Sequence, residues 1–193
     1  DFLVLNADDQ RLKGLARQTK AKVVYFVRTK KFNPNQAAVV KVGSIFGIKQ
    51  DLCDKVFKEF KGIEHRMEYV GEVSQIKFIN DSKATTAEST AWALQNINSP
   101  VILIAGGKHK GVDYSGAFPE ARKKVKRVIL IGEAKDKIKQ AFKDSLPVEY
   151  ALSMEDAVKK AYLNASAGDC VLLSPMCSSF DMFRDYAHRG EVF

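Results

Sequence analysis

The sequence predicts an α/β protein built on a doubly wound, mostly parallel sheet, and three observations carry that prediction. Short apolar runs recur from residue 75 onward: IKFI (76–79), VILIA (101–105), VILI (128–131) and CVLL (170–173). Each is too continuous for a sheet with one wet face and reads as a parallel strand buried on both sides. Between the runs, apolar residues return at helical spacing. Polar and glycine-bearing segments follow the runs, where an open α/β sheet starts its helices and binds its ligands.

Taken in order, KVVYFV (22–27) reads as a strand and RTKKFNPNQ (28–36) as a polar, proline-containing break. Leu52, Val56, Phe57 and Phe60 form the stripe of an amphipathic helix ending near Gly62. Ala87, Ala91, Leu94 and Ile97 mark the next helix, and Ala134, Ile138, Ala141 and Phe142 another. Met154, Ala157, Val158, Ala161 and Tyr162 mark a third, with Ser153 and Asp156 as a capping-box-like start. A boundary near Gly62 is expected to divide the chain into a small incomplete unit, 1–61, and a complete domain of ordinary size, 62–193. The sequence has no internal repeats and no low-complexity tracts.

The 193 residues are 46% hydrophobic, enough for a real core. No stretch approaches the roughly 20 apolar residues of a membrane-spanning helix, so no membrane insertion is expected. The first residue is Asp1 and not Met, which leads us to expect further chain upstream. Cys53, Cys170 and Cys177 are odd in number and lack CxxC spacing, so they read as reduced thiols of a cytoplasmic protein. Cys177, in a loop, is the one candidate nucleophile, although no nearby histidine or acid pattern supports it. The net charge of +8 favours anionic partners such as nucleotides. Basic runs such as ARKKVKR (121–127) contain no interleaved aromatic residues; they read as solvated faces and strand entrances, and nucleic acid is not expected as a partner.

Four polar segments fall at strand ends. NDSKATT (80–86) follows IKFI, and AGGKHKGVD (105–113) brings two glycines that let backbone approach a ligand, with Lys108 and Lys110 for charge. IGEAKD (131–136) reads as a structural turn. SPMCSSFD (174–181) places Ser178 and Ser179 at an expected helix N-terminus, where anions are favoured. Singly, each has an ordinary structural use: Asp81, Ser82 or Ser179 as a helix cap, Gly106-Gly107 as a turn. Together, lysines and hydroxyls at three ends of one sheet edge form a pocket for carboxylate or phosphate. Arg66 reads equally as a phosphate clamp or as part of a surface pair with His65. His109 and His188 lack metal-ligand spacing, and no GxxxxGK[ST] loop occurs.

With LNADD (5–9), HRMEYV (65–70), FINDSKATT (78–86), AGGKHKGVD (105–113) and LLSPMCSSFDMFRDYAHRG (172–190), in this order, the chain resembles the Mur ligase family. The NDSKAT block points to its D-glutamate-adding branch. The resemblance implies a Rossmann-like C-terminal domain over 62–193 and, over 1–61, the end of a central ATPase domain whose P-loop, magnesium ligands and modified lysine are missing here. It implies ATP and Mg2+ as cofactors, with no metal ligand in this chain, and UDP-N-acetylmuramoyl-L-alanine and D-glutamate as substrates. The reaction implied is amide formation through an acyl phosphate, in peptidoglycan synthesis, by a cytoplasmic monomer. FNPNQAAVV (32–40) looks compressed, and Asn35 is taken as a remnant of an adenine-binding motif.

By the same resemblance Arg66 reaches the ATP phosphates and Asp81 the ribose hydroxyls. Lys83, Thr85, Lys110, Ser179 and the backbone of Phe180 hold the carboxylates of D-glutamate, with Tyr186 packing nearby. His109 and Thr86 depart from the family pattern, which has Asp and Asn there. Two other readings stay open: a folylpolyglutamate-synthase-like ligase of the same superfamily, and a non-catalytic anion-binding fragment. The chain on its own is expected to be inactive, with no catalytic residue assigned to it.

Overall fold

A computed structural model describes residues 1–143 and 145–193, apart from the Lys13 side chain. The chain divides into two compact units, Asp1–Lys61 and Gly62–Phe193. In the first, β1 (Phe2–Asn6) pairs in parallel with β2 (Lys22–Phe26), and a 3-10 helix (Gln10–Arg17) connects them. Two helices follow, α1 (Pro34–Ile45) and α2 (Gln50–Glu59).

Helix α1 overturns the reading of 28–36 as a break throughout. Asn33 Oδ1 accepts from Gln36 N at 3.0 Å while Gln36 Oε1 accepts from Asn33 N at 3.1 Å, and Pro34 occupies the first helical position. That reciprocal cap, with a proline whose missing N–H is not needed there, starts a helix. The stripe on α2 is also revised. Cys53 is buried against Gly43 of α1, whereas Leu52, Val56 and Phe60 are at least half exposed.

The second unit is a six-stranded sheet in the order β3-β4-β8-β5-β6-β7. Its strands are β3 (Glu68–Val73), β4 (Ile76–Asn80), β5 (Val101–Gly106), β6 (Val125–Ile131), β7 (Val148–Tyr150) and β8 (Cys170–Leu173). All neighbours are parallel except the β3–β4 pair, which is a hairpin at the edge. The doubly wound, mostly parallel sheet expected from the apolar runs is therefore observed. β3 and β7 were not legible as runs, because edge strands need only one protected face.

Alternate residues of the central strands feed two cores. Leu103, Ala105, Val128, Leu130 and Leu172 meet α3 (Ala87–Gln95), α4 (Phe118–Lys124) and α5 (Lys135–Ala141). Ile102, Ile104, Ile129, Ile131, Val171 and Leu173 meet α6 (Met154–Asn164). Each fully buried aliphatic side chain contributes about 1.5–3 kcal/mol, which explains why no polar residue interrupts these runs. The last helix, α7 (Tyr186–Val192), closes the unit beside α6.

Local signals explain several helix ends. Ser153 Oγ accepts from Asp156 N at 3.2 Å, and Asp156 Oδ2 reaches back to Leu152 N at 2.9 Å. Thr86 caps α3 through Ser89 N. Within ARKKVKR, Lys124 is not merely solvated: its Nζ donates to the carbonyls of Leu94 and Ile97 and so binds the negative end of α3. Among the described residues no helix is long and apolar enough to cross a membrane.

Candidate functional site

Strand β8 enters the sheet last and lies between β4 and β5, so the chain reverses its winding there. In such sheets the crevice outside the carboxyl ends at that reversal is where ligands bind. Four loops leave this edge, after Asn80, Gly106, Ile131 and Leu173, and they are laced together. Asp81 N donates to Leu173 O (2.8 Å), Met176 N to Ala84 O (3.0 Å), Gly106 N to Pro175 O (2.9 Å), Lys108 N to Ser178 O (2.9 Å) and Ala134 N to Gly107 O (2.8 Å).

The two glycines after β5 serve this lacing. Gly106 has φ +118° and Gly107 φ +138°, and a Cβ on them would stand 2.0 Å from Ile131 O and 2.3 Å from Ser178 O. The backbone they let approach here is that of the neighbouring loops. The loop after β6 belongs to the same assembly and is more than a turn. Glu133 N donates to Asp181 Oδ2 at 2.9 Å, and Glu133 Oε2 pairs with Lys108 Nζ at 2.5 Å.

Asp81 is 5% exposed. Its Oδ1 accepts from Met67 N at 3.2 Å and its Oδ2 from Ser174 Oγ at 2.9 Å, and Ser174 Oγ lies equally far from Thr90 Oγ1. Burial pushes the Asp81 carboxyl up to about 6, against the opposing pull of Ser174, the Met67 amide and the Arg66 charge. Arg66 is exposed, between His65 (φ +61°) and Met67 (φ +46°), two strained residues held by Glu68 Oε2 on His65 N and by Asp81. Such strain persists only where surroundings over-determine it, and it gathers at sites. Arg66 and Asp81 are therefore neighbours. His65 is mostly buried; its Nδ1 is 3.0 Å from Asn80 Nδ2, so it is no surface partner of Arg66.

Lys83 Nζ donates to Tyr186 Oη at 2.9 Å, joining the loop after β4 to the start of α7. Lys110 Nζ lies 5.9 Å from the ring centre of the exposed Phe180. Thr85, two residues after Lys83, is exposed. Ser179 is buried, 2% exposed, and its carbonyl accepts from Met182 N and Phe183 N. No helix begins at Ser178 or Ser179, which corrects that expectation. The final helix starts seven or eight residues later, at Tyr186, capped by Asp185 Oδ1 on His188 N (2.8 Å), because the intervening loop first has to cross the sheet edge. Asn35 lies in the first unit, exposed in the first turn of α1.

Cys177 is corrected as a nucleophile. It is 2% exposed, and burial pushes its thiol up to about 11, so it stays protonated. Sequence reasoning also missed Arg189, which is wholly buried beneath these loops. Its one sequence signal is the Arg-Gly pair inside the helix: Gly190 is required because a Cβ there would stand 2.3 Å from His65 Nδ1. Ser178 Oγ and Asp181 Oδ1, both buried, have no hydrogen-bond partner among the described residues.

Comparison with known proteins bears on this edge. The family described as Mur ligase, glutamate ligase domain, matches residues 65–177, more than half of the chain. A protein named UDP-N-acetylmuramoylalanine–D-glutamate ligase from Chloroherpeton thalassium is 43% identical over 159 residues, covering 82% of this chain and 34% of the relative. One of the same name from Caldanaerobacter subterraneus subsp. tengcongensis is 39% identical over 229 positions, covering 100% of this chain and 51% of the relative. The chain thus spans about half the length of a curated relative it matches end to end. The alignment's 229 positions against 193 residues leave about 36 with no counterpart here.

Among solved structures, Escherichia coli FolC in complex with DHPP and ADP has a TM-score of 0.71 at 16% identity, covering 100% of this chain and 53% of that one. MurF ligase from Thermotoga maritima in complex with ADP has a TM-score of 0.68 at 13% identity, covering 100% and 52%. These likenesses show the fold.

Proposed function

The chain belongs to the Mur ligase family, and on that premise we propose that it forms the amino-acid-closing half of an ATP-dependent ligase that joins D-glutamate to UDP-N-acetylmuramoyl-L-alanine. The observation that carries this reading is the convergence of Lys83, Tyr186, Lys110, Phe180 and Ser179 on loops of one sheet edge. An amino acid with two carboxylates calls for two cations and several donors along one rim. In this reading residues 62–193 are the glutamate-ligase domain and 1–61 the end of the central ATP-binding domain of a cytoplasmic, monomeric enzyme of peptidoglycan synthesis.

The reaction is amide formation in two steps. A carboxylate oxygen of the nucleotide substrate attacks the γ-phosphorus, ADP leaves, and an acyl phosphate forms. The amine of D-glutamate then attacks the acyl carbon, loses a proton, and inorganic phosphate departs. Catalysis of the first step is mostly positioning and charge stabilisation. In this chain Lys83, Thr85, Lys110, Ser179 and the Phe180 amide hold the D-glutamate carboxylates beside Tyr186. Arg66 meets the ATP phosphates, Asp81 the ribose hydroxyls and Asn35 the adenine side. Mg2+ is the metal this reading calls for, and none of these side chains is proposed as its ligand. Without a GxxxxGK[ST] loop, the isolated chain is expected to turn over no ATP.

The test is Lys83→Ala in the full-length ligase that carries this chain. Phosphate release dependent on D-glutamate is expected to fall by about two orders of magnitude, as for loss of a charge-assisted contact to a substrate carboxylate. Undiminished release refutes the site, and equal use of L-glutamate refutes the substrate.

A further inference from the structure

Arg189 is the largest wholly buried side chain among the described residues and sits beneath the proposed glutamate rim. Its guanidinium binds two of the loops directly. Nε donates to Ser82 Oγ at 2.9 Å, Nη2 to Ser82 O at 2.7 Å and Nη1 to Cys177 O at 3.1 Å. It also abuts a third loop, since a Cβ on Gly107 would stand 3.2 Å from Nη1. Ser82 Oγ in turn donates to Tyr186 O at 2.7 Å. One planar group thus ties together the residues immediately before Lys83, those two positions before Ser179, and the turn that leads to Lys110.

Among the described residues no carboxylate lies within ion-pair distance of Arg189. Desolvation lowers its pKa only to about 10, so it remains a cation at neutral pH, with Asp181 as its more distant negative neighbour. A buried charge without a counter-ion is costly, and an apolar residue of similar volume would serve simple packing better. Two buried oxygens nearby in sequence, Ser178 Oγ and Asp181 Oδ1, lack hydrogen-bond partners among the described residues. With no carboxylate in contact, the positive field of Arg189 is left to act on the loops that carry the rim.

We infer that Arg189 is a positioning residue for the amino-acid substrate: it sets the spacing of Lys83, Lys110 and Ser179 and supplies the buried positive field that a dicarboxylate neutralises. This rests on the reading of the rim as the D-glutamate site. Arg189 does not touch the substrate. It acts through Ser82 and the Cys177 carbonyl, so its loss falls on D-glutamate and not on ATP.

The experiment measures KM for D-glutamate and for ATP in the full-length ligase carrying Arg189→Met, Arg189→Lys or Ser82→Ala, with circular dichroism to confirm folding. Arg189→Met is expected to raise the D-glutamate KM about tenfold or more, the scale of one lost charged hydrogen-bond network, and the ATP KM by less than about twofold. Arg189→Lys keeps the charge but loses the fork and is expected to fall between wild type and the methionine variant. If the methionine variant does not fold, Ser82→Ala, which removes one hydroxyl, decides the matter with an expected rise of about threefold. An unchanged D-glutamate KM in a folded variant, or equal rises for both substrates, overturns the inference and leaves the proposed function standing. A wild-type enzyme that ignores D-glutamate overturns both.

Discussion

Asp81→Asn is expected to stabilise the protein at neutral pH while weakening nucleotide binding, and the pH dependence of the gain is calculable. In the folded chain the carboxyl is raised from 3.8 to about 6. A raised acid binds its proton more tightly folded than unfolded, so it favours folding below pH 3.8 and loses that advantage as pH rises through about 6. The interval corresponds to about 3 kcal/mol. Asn resembles the protonated acid: its Oδ1 can keep the Met67 amide, and its Nδ2 can donate to Ser174 Oγ, which passes its own proton to Thr90. The stability difference between variant and wild type should be small near about pH 4 and grow by up to about 3 kcal/mol by about pH 7. Urea unfolding followed by the fluorescence of Trp92, the single tryptophan and a residue of the second unit, measures it. A difference that stays flat with pH, or a variant less stable at neutral pH, refutes the assignment of burial as the dominant cause.

Gly107→Ala combines a left-handed backbone with a clash on Ser178 O and is expected to cost about 3 kcal/mol or more, read as a lowered unfolding midpoint; wild-type stability would contradict the lacing of these loops. The three buried thiols, two of them pushed up to about 12 (Cys170) and about 11 (Cys177), should give no fast-reacting group with an aromatic disulfide reagent at about pH 7.5 until the chain unfolds. Labelling of Cys177 in the native protein at the rate of a free thiol would show that its loop opens.

Local pattern made the frame of this protein legible. IKFI, VILIA, VILI and CVLL are strands because a run buried on both faces leaves no room for polar residues, and that constraint is written in consecutive positions. The helices over 87–95, 135–141 and 154–164 were visible in their apolar spacing, and Ser153 in its cap. The start of α1 was also written locally, in Asn33, Pro34 and Gln36, and was missed by weighting the proline as a breaker and not as a first-turn residue. Strand ends rich in lysine, serine and threonine marked the edge at which the polar loops gather.

What the tertiary structure decided is which of those groups meet. Nothing in consecutive residues says that β8 inserts between β4 and β5, yet that single choice brings Ser82, Gly107 and Cys177 to one guanidinium. Nor does spacing tell that Gly106 and Gly107 serve loop packing, that Ser179 lies buried without a helix behind it, or that Asp81 is raised by burial. Those properties depend on distance and desolvation between segments up to 110 residues apart, as in the Asn80 bond to Gly190. A sequence encodes periodicity within a segment directly, whereas the sites where segments cross exist only once the cores on both faces of the sheet have closed.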